Sequence, residues 1–100
     1  MGENREVVYV TVKPNRRQVI VETPYNADFI GMLKVKVYWQ KRSWDNEAKA
    51  WTVSDEYRQT VINMVKEYFP NTPAYLLEGA VTKNLHTGEV VQQQTLFREG

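Results

Sequence analysis

Two runs of alternating β-branched side chains near the start of the chain constrain its fold more than any other feature. In residues 6–13 every second residue from Val8 is a valine, so the valines can share one face of an extended strand. Residues 18–22 alternate in the same way. Between the runs, Pro14 fixes its own φ angle and Asn15 tolerates left-handed backbone, so the sequence predicts a turn and an antiparallel hairpin.

A short helix is predicted after this hairpin. Either Thr23 or Asn26 can cap its first turn, and Pro24 suits that turn because no backbone N–H donor is needed there. The helix should end near residues 34–36, and its apolar side chains at helical spacing are Phe29, Ile30 and Leu33.

Residues 37–53 return to strand-like composition, and a polar break at residues 45–48 divides them into a second predicted hairpin. Ser54 then precedes Asp55 and Glu56, a pattern typical of a capped helix with carboxylates in its first turn. The apolar stripe of this second helix runs until Pro70 and consists of Tyr57, Val61, Ile62, Val65, Tyr68 and Phe69.

The last predicted elements are two strands, residues 75–83 and 89–97, around a loop in which Gly88 can take a positive φ angle. The element order is therefore ββαββαββ. Antiparallel hairpins combined with two helices predict an α+β fold. The 100 residues, of which 42% are hydrophobic and 25% charged, fit one domain covering residues 1–100.

Segments that direct a chain into a membrane or out of the cell are not found in the sequence. No stretch approaches the ~20 apolar residues that a membrane span needs, and the polar first residues lack the apolar core of a secretory signal. We therefore expect a cytoplasmic protein with no membrane partner. The sequence has no cysteine, which excludes thiol nucleophiles and thiolate metal sites.

Residue combinations that catalyse reactions at neutral pH are also not found in the sequence. His86 is the single histidine, and it lies in a predicted loop without an evident orienting partner. The acidic pairs Asp45/Glu47 and Asp55/Glu56 fit turn chemistry and helix capping, and their spacing matches no calcium loop. We therefore expect no catalytic residue, no metal site and no cofactor, and hence a non-catalytic protein.

The distribution of charge is more informative than its total. The chain has 13 basic and 12 acidic residues, a net charge of +1. Residues 13–42 carry seven basic and two acidic residues, and the difference gives this third of the chain a net charge of +5. Clustered cations beside aromatic side chains are typical of phosphate and base binding, whereas the alternative is a solvated basic face with the aromatic residues in the core. The candidate nucleic-acid-binding residues are Arg16, Arg17, Lys34, Lys36, Tyr38, Trp39, Lys41, Arg42 and Lys49.

A spaced pattern of aromatic residues, lysines and an aspartate runs through the middle of the chain, at Pro24-Tyr25-Asn26, Phe29-Ile30, Lys34, Trp44-Asp45, Lys49 and Trp51-Thr52-Val53. The pattern resembles the HARP domain, a small module found beside the motor of annealing helicases of the Swi/Snf type, and similar modules in phage and mobile-element proteins. The resemblance covers residues 19–69. It implies a compact α+β domain that contacts single-stranded or branched DNA without a catalytic centre of its own, with Lys34 and Lys49 facing phosphates.

The chain departs from the HARP pattern in two places. Residues 35–43 form a longer connection than is usual in the family and lack its glycines, which indicates a different or extended binding surface. Residues 75–97 form an additional hairpin. The helicase motor has no counterpart in the sequence, so strand annealing and ATP hydrolysis are not implied.

Two functions follow from different features of the sequence. The leading prediction is a non-enzymatic module that binds single-stranded or branched DNA through the basic and aromatic residues, with little sequence preference. The alternative is a protein-interaction module, such as a small inhibitor or adaptor. Such a module would add an edge strand to a partner or form a homodimer through residues 75–97, so both a monomer and a homodimer remain open. An enzyme is the third alternative.

Overall fold

In the computed structural model, residues 6–93 are described, and they form seven β-strands and two α-helices. The predicted α+β class is confirmed. The helices are α1 (Ala27–Lys36) and α2 (Arg58–Tyr68). The strands are β1 (Val8–Lys13), β2 (Gln18–Glu22), β3 (Arg42–Asp45), β4 (Ala50–Ser54), β5 (Ala74–Glu78), β6 (Val81–Asn84) and β7 (Val90–Gln93).

The alternating runs at the start of the chain form the antiparallel hairpin β1–β2, as predicted. Their connection is one turn of 3-10 helix, Pro14–Arg16, followed by Arg17 in the left-handed region with a φ angle of 56°. On its other side β1 pairs with β5, in parallel. The strands form one mixed sheet in the order β3-β4-β2-β1-β5-β6-β7, so the first hairpin lies near its centre.

The two helices begin in different ways. Asn26 caps α1, since its side-chain oxygen accepts a hydrogen bond from the backbone N–H of Phe29 at 2.9 Å. The predicted cap at Ser54 is wrong, because Ser54 makes no capping side-chain bond and precedes a turn of 3-10 helix, Asp55–Tyr57. The backbone N–H of Asp55 donates instead to the carbonyl of Arg17 at 3.0 Å, which ties this segment to the β1–β2 connection.

The C-terminal part of the described chain contains one strand more than predicted. Residues 75–83 are not a continuous strand, because a two-residue turn at 79–80 separates β5 from β6. Gly79 has a φ angle of 62° in the first turn position, which a type II′ hairpin turn requires. Gly88 takes a positive φ angle of 82°, as predicted. The end of the predicted strand 89–97 lies outside the described residues.

Both helices cover the same face of the sheet. The alternate valines of the first hairpin, such as Val10 and Val21, are buried in one cluster with the apolar side of α1 and α2. Phe29, near the start of α1, packs against the end of α2. The centroid of its ring lies 6.2 Å from that of Tyr68 and 5.4 Å from that of Phe69. We call the other side of the sheet the open face, because no described helix covers it. Its side chains on the central strands are Tyr9, Thr11, Ile20, Thr52, Tyr75 and Leu77.

Candidate functional site

A polar groove of about 260 Å³ lies at one corner of the open face. It forms where β2 and β3 begin and where β4 ends. Each of its lining side chains carries at least one hydrogen-bond donor. We call this site the basic groove, and its lining residues are Arg16, Arg17, Gln18, Gln40, Lys41, Arg42, Ser43, Thr52 and Ser54.

The strand order explains why residues far apart in sequence meet at the basic groove. β4 lies between β2 and β3 and runs antiparallel to both, so its end is adjacent to the starts of its two neighbours. Gln18 pairs with Ser54, and Ser43 pairs with Thr52. The β1–β2 connection and the segment before β3 therefore bring their cations to the same place.

The electrostatic character of the basic groove follows from its lining. Four of its nine lining residues are basic, namely Arg16, Arg17, Lys41 and Arg42, and none of the nine is acidic. The Nζ atom of Lys41 lies 3.6 Å from a carboxylate oxygen of Glu56 in an exposed ion pair. Exposed pairs of this kind are weak, so Lys41 stays free to exchange that partner for a phosphate.

Two of the arginines are held in defined conformations. Arg42 pairs with the buried Val53 on the helix side of the sheet, where one of its guanidinium nitrogens donates to the carbonyl of Val37 at 2.7 Å, so Arg42 borders the basic groove from that side. Arg17 holds a left-handed conformation, which residues other than Gly, Asn and Asp rarely adopt. Its carbonyl is bonded to Asp55, so the surrounding structure stabilises a backbone conformation that is unfavourable by itself.

Two exposed aromatic side chains lie just before Lys41 and Arg42 in the sequence. Tyr38 and Trp39 are 53% and 63% exposed, with ring centroids 6.1 Å apart. Trp39 begins the 3-10 helix Trp39–Lys41, whose next residues, Gln40 and Lys41, line the basic groove. An exposed aromatic pair thus lies directly beside the groove along the chain, and it is not part of the core.

The structure does not bring the remaining candidate cations into the basic groove. Lys36 is exposed in the last turn of α1. The Nζ atom of Lys34 lies 6.0 Å from the ring centroid of Trp51 on the helix side of the sheet. Lys49 lies in the turn at the opposite end of the β3–β4 hairpin, where its Nζ atom contacts the side-chain oxygen of Asn46 at 3.3 Å.

A second aromatic pair, Trp44 and Trp51, lies at the turn end of the β3–β4 hairpin, with Lys34 near the Trp51 ring. The rings of Trp44 and Trp51 pair across β3 and β4 with centroids 5.4 Å apart, and Trp44 is 46% exposed. The indole N–H of Trp44 donates to Asn46 at 3.4 Å. The turn itself is held by Asp45, whose carboxylate accepts backbone N–H bonds from residues 47 and 48, so the turn chemistry predicted for Asp45 is confirmed.

The uncharged residues of the basic groove were not predicted from the sequence. Gln18, Gln40, Ser43, Thr52 and Ser54 are common polar types without a spacing of their own. Their meeting depends on the neighbours that β4 acquires in the sheet. Only a prediction of strand order and register could have found them.

Within residues 6–93, no three His, Asp or Glu side chains come together as a group that could hold a metal ion. His86 lies in an exposed turn, with its Nε2 atom 2.9 Å from the carbonyl oxygen of Thr72. No helix in the described part of the chain is long and apolar enough to cross a membrane.

Comparison with known proteins found no matching family model, no matching curated protein and no matching solved structure. A donor-rich groove lined by four basic residues is suited to an anion that carries several oxygen acceptors. Phosphate groups are the common biological ligands of this kind.

Proposed function

We propose that this protein is a non-enzymatic nucleic-acid-binding module that holds the phosphates of single-stranded or branched DNA in the basic groove. The observation that carries the proposal is the convergence of two separate basic segments, Arg16–Arg17 and Lys41–Arg42, on one groove whose lining contains no carboxylate. Arginine presents a planar fork of donors that matches phosphate oxygens. Lysine adds a mobile point charge.

The neighbouring side chains fit a ligand that is bound with little sequence preference. Hydroxyl and amide donors such as Ser54 and Gln18 can bind phosphate and sugar oxygens, which position a strand without reading its bases. The exposed rings of Tyr38 and Trp39 offer stacking surfaces, and every base has a face that can stack. The HARP-like pattern of residues 19–69 implies the same ligand class, although its Lys34 and Lys49 lie outside the basic groove. The proposal includes a cytoplasmic location and an origin in a phage or mobile element.

Fluorescence anisotropy with labelled single-stranded, forked and duplex DNA tests the proposal. Binding should be measurable at about 50 mM salt and should weaken steeply as salt rises, because each phosphate contact releases counterions. Single-stranded and forked DNA should bind more tightly than duplex. If there is no binding at low salt, or if affinity is independent of salt, the proposal is wrong.

A specific observation favours protein interaction as a second candidate function. Among the strands that the structure describes, β7 is at one edge of the sheet, and its Val90 and Val91 are 55% and 54% exposed. Exposed apolar residues on an unpaired edge can add a strand from a partner or from a second copy of the chain. Light scattering at tens of micromolar protein should then show a dimer that Val91→Lys dissociates, whereas a monomeric mass for both proteins excludes the homodimer.

A further inference from the structure

The open face carries an aromatic pair on its two parallel strands. Tyr9 of β1 and Tyr75 of β5 lie side by side, with ring centroids 6.1 Å apart and an angle of 30° between the ring planes. Tyr9 is 37% exposed, and Tyr75 is half-buried. Ile20 and Leu77 flank this pair on the neighbouring row of the sheet. The centre of the open face is thus an apolar and aromatic surface that no described helix covers.

This surface is continuous with the basic groove. Thr52, which lines the groove, pairs with Ile20; Ile20 pairs with Thr11, and Thr11 pairs with Leu77. Each step crosses one strand, so three steps at ~4.8 Å place Leu77 ~14 Å from Thr52. Tyr9 and Tyr75 lie two residues, or ~7 Å, along their strands from Thr11 and Leu77, which places them ~12 Å and ~16 Å from Thr52. A flexible nucleic-acid strand with its phosphates in the basic groove can therefore reach the tyrosines across the open face.

Charge differs between the two ends of the open face. Lys13 lies at the groove end, where it pairs with Gln18. Glu22 lies at the other end, where it pairs with Tyr9. The lysine and the tyrosine rings thus lie at opposite ends of this face, which matches a strand whose phosphates lie at one end and whose bases stack at the other.

We propose that the open face binds the bases of the same single strand whose phosphates lie in the basic groove, with Tyr9 and Tyr75 as its stacking residues. The proposal rests on the proposed function. It identifies the ligand as single-stranded, because the base faces of a duplex are covered by their neighbours. Spans of ~12 Å and ~16 Å correspond to about four or five stacked nucleotides at 3.4 Å each, so shorter oligonucleotides should bind much more weakly.

Substitution of the tyrosines tests this placement. Tyr9→Leu and Tyr75→Leu keep an apolar side chain on the strand but remove the ring that stacks. Each should weaken binding of an eight-nucleotide oligothymidine roughly 5- to 150-fold, the range for loss of one base stack, and leave the salt dependence unchanged. The matched control is Tyr25→Leu, because Tyr25 is 84% exposed and lies outside the sheet. This variant should bind like the unmodified protein.

Photo-crosslinking of the unmodified protein gives a readout that does not depend on the folding of any variant. An oligonucleotide carrying 5-iodouracil should crosslink to Tyr9 or Tyr75, identified by mass spectrometry of the peptides. If crosslinks map elsewhere and the tyrosine variants bind normally while Arg17→Gly weakens binding, the open-face proposal is wrong and the groove proposal stands. If Arg17→Gly also binds normally, both are wrong. A DNA-independent dimer that Tyr9→Leu dissociates would likewise overturn the open-face proposal, because a second copy would then occupy the face.

Discussion

Arg17 and Lys49 are the two described non-glycine residues with positive φ angles, 56° and 55°. The left-handed conformation costs an L-residue about 1–2 kcal/mol, while the extra freedom of unfolded glycine costs about 0.5–1 kcal/mol. We therefore predict that Arg17→Gly and Lys49→Gly each raise the free energy of unfolding by about 0.5–1 kcal/mol. Urea unfolding followed by circular dichroism measures this change, and a loss of stability in both variants would contradict the prediction.

The cap of α1 gives a second prediction at the scale of single residues. Replacing Asn26 by Ala removes the acceptor for the Phe29 N–H, so the free energy of unfolding should fall by about 1 kcal/mol. Asn26→Asp keeps an acceptor there and should stay close to the unmodified protein. If Asn26→Ala and Asn26→Asp destabilise equally in urea unfolding, the side-chain bond is not the cause.

Capping shows how far local sequence determines local structure. The residues around α1 allowed two caps, Thr23 and Asn26, and the structure selects Asn26, while the Thr23 hydroxyl donates to the Pro24 carbonyl at 2.8 Å. Ser54 had equally good local features but makes no capping bond. The bond between the Asp55 N–H and the Arg17 carbonyl joins residues far apart in sequence, so no local pattern could have indicated it.

Among the elements, β5 gives the clearest contrast between the two faces of the sheet. Leu76 is buried under the helices, whereas Leu77 is half-buried on the open face. We predict that Leu76→Ala lowers the free energy of unfolding by about 2–5 kcal/mol, the range for a leucine in a packed core. Leu77→Ala should cost less than half as much. Equal losses in urea unfolding would show that something covers the open face.

The elements themselves were largely predictable from their own residues. The alternation of valines predicted β1 and β2, and the helical spacing of apolar residues up to Pro70 predicted α2. Met64 was not in the predicted apolar stripe but is buried in that helix. Two features depend on contacts that no single segment encodes. The parallel pairing of β1 with β5 joins distant segments, and the turn at Gly79 lies inside a run whose composition is strand-like throughout.

For the whole molecule, the net charge is only +1, although residues 13–42 carry a net charge of +5. The sequence identified the basic third of the chain and the aromatic residues beside it. The fold then separates the predicted residues, because four basic residues line the basic groove while Lys34 lies near Trp51 and Lys49 contacts Asn46 in the β3–β4 turn. Lys49 is far from the basic groove because the groove lies at the open end of the β3–β4 hairpin and Lys49 lies in its turn.

The central claim is that the position of the cations in the basic groove, and not the overall charge, binds nucleic acid. Arg17→Gly and Lys49→Gly each remove one positive charge and relieve the same backbone conformation, but only Arg17 lines the groove. The most direct measurement is the slope of log affinity against log salt for single-stranded DNA in both variants. We predict that Arg17→Gly weakens binding and reduces the magnitude of the slope by about 0.7, the value for one lost phosphate contact, while Lys49→Gly changes neither. Equal changes in the two variants would contradict the account.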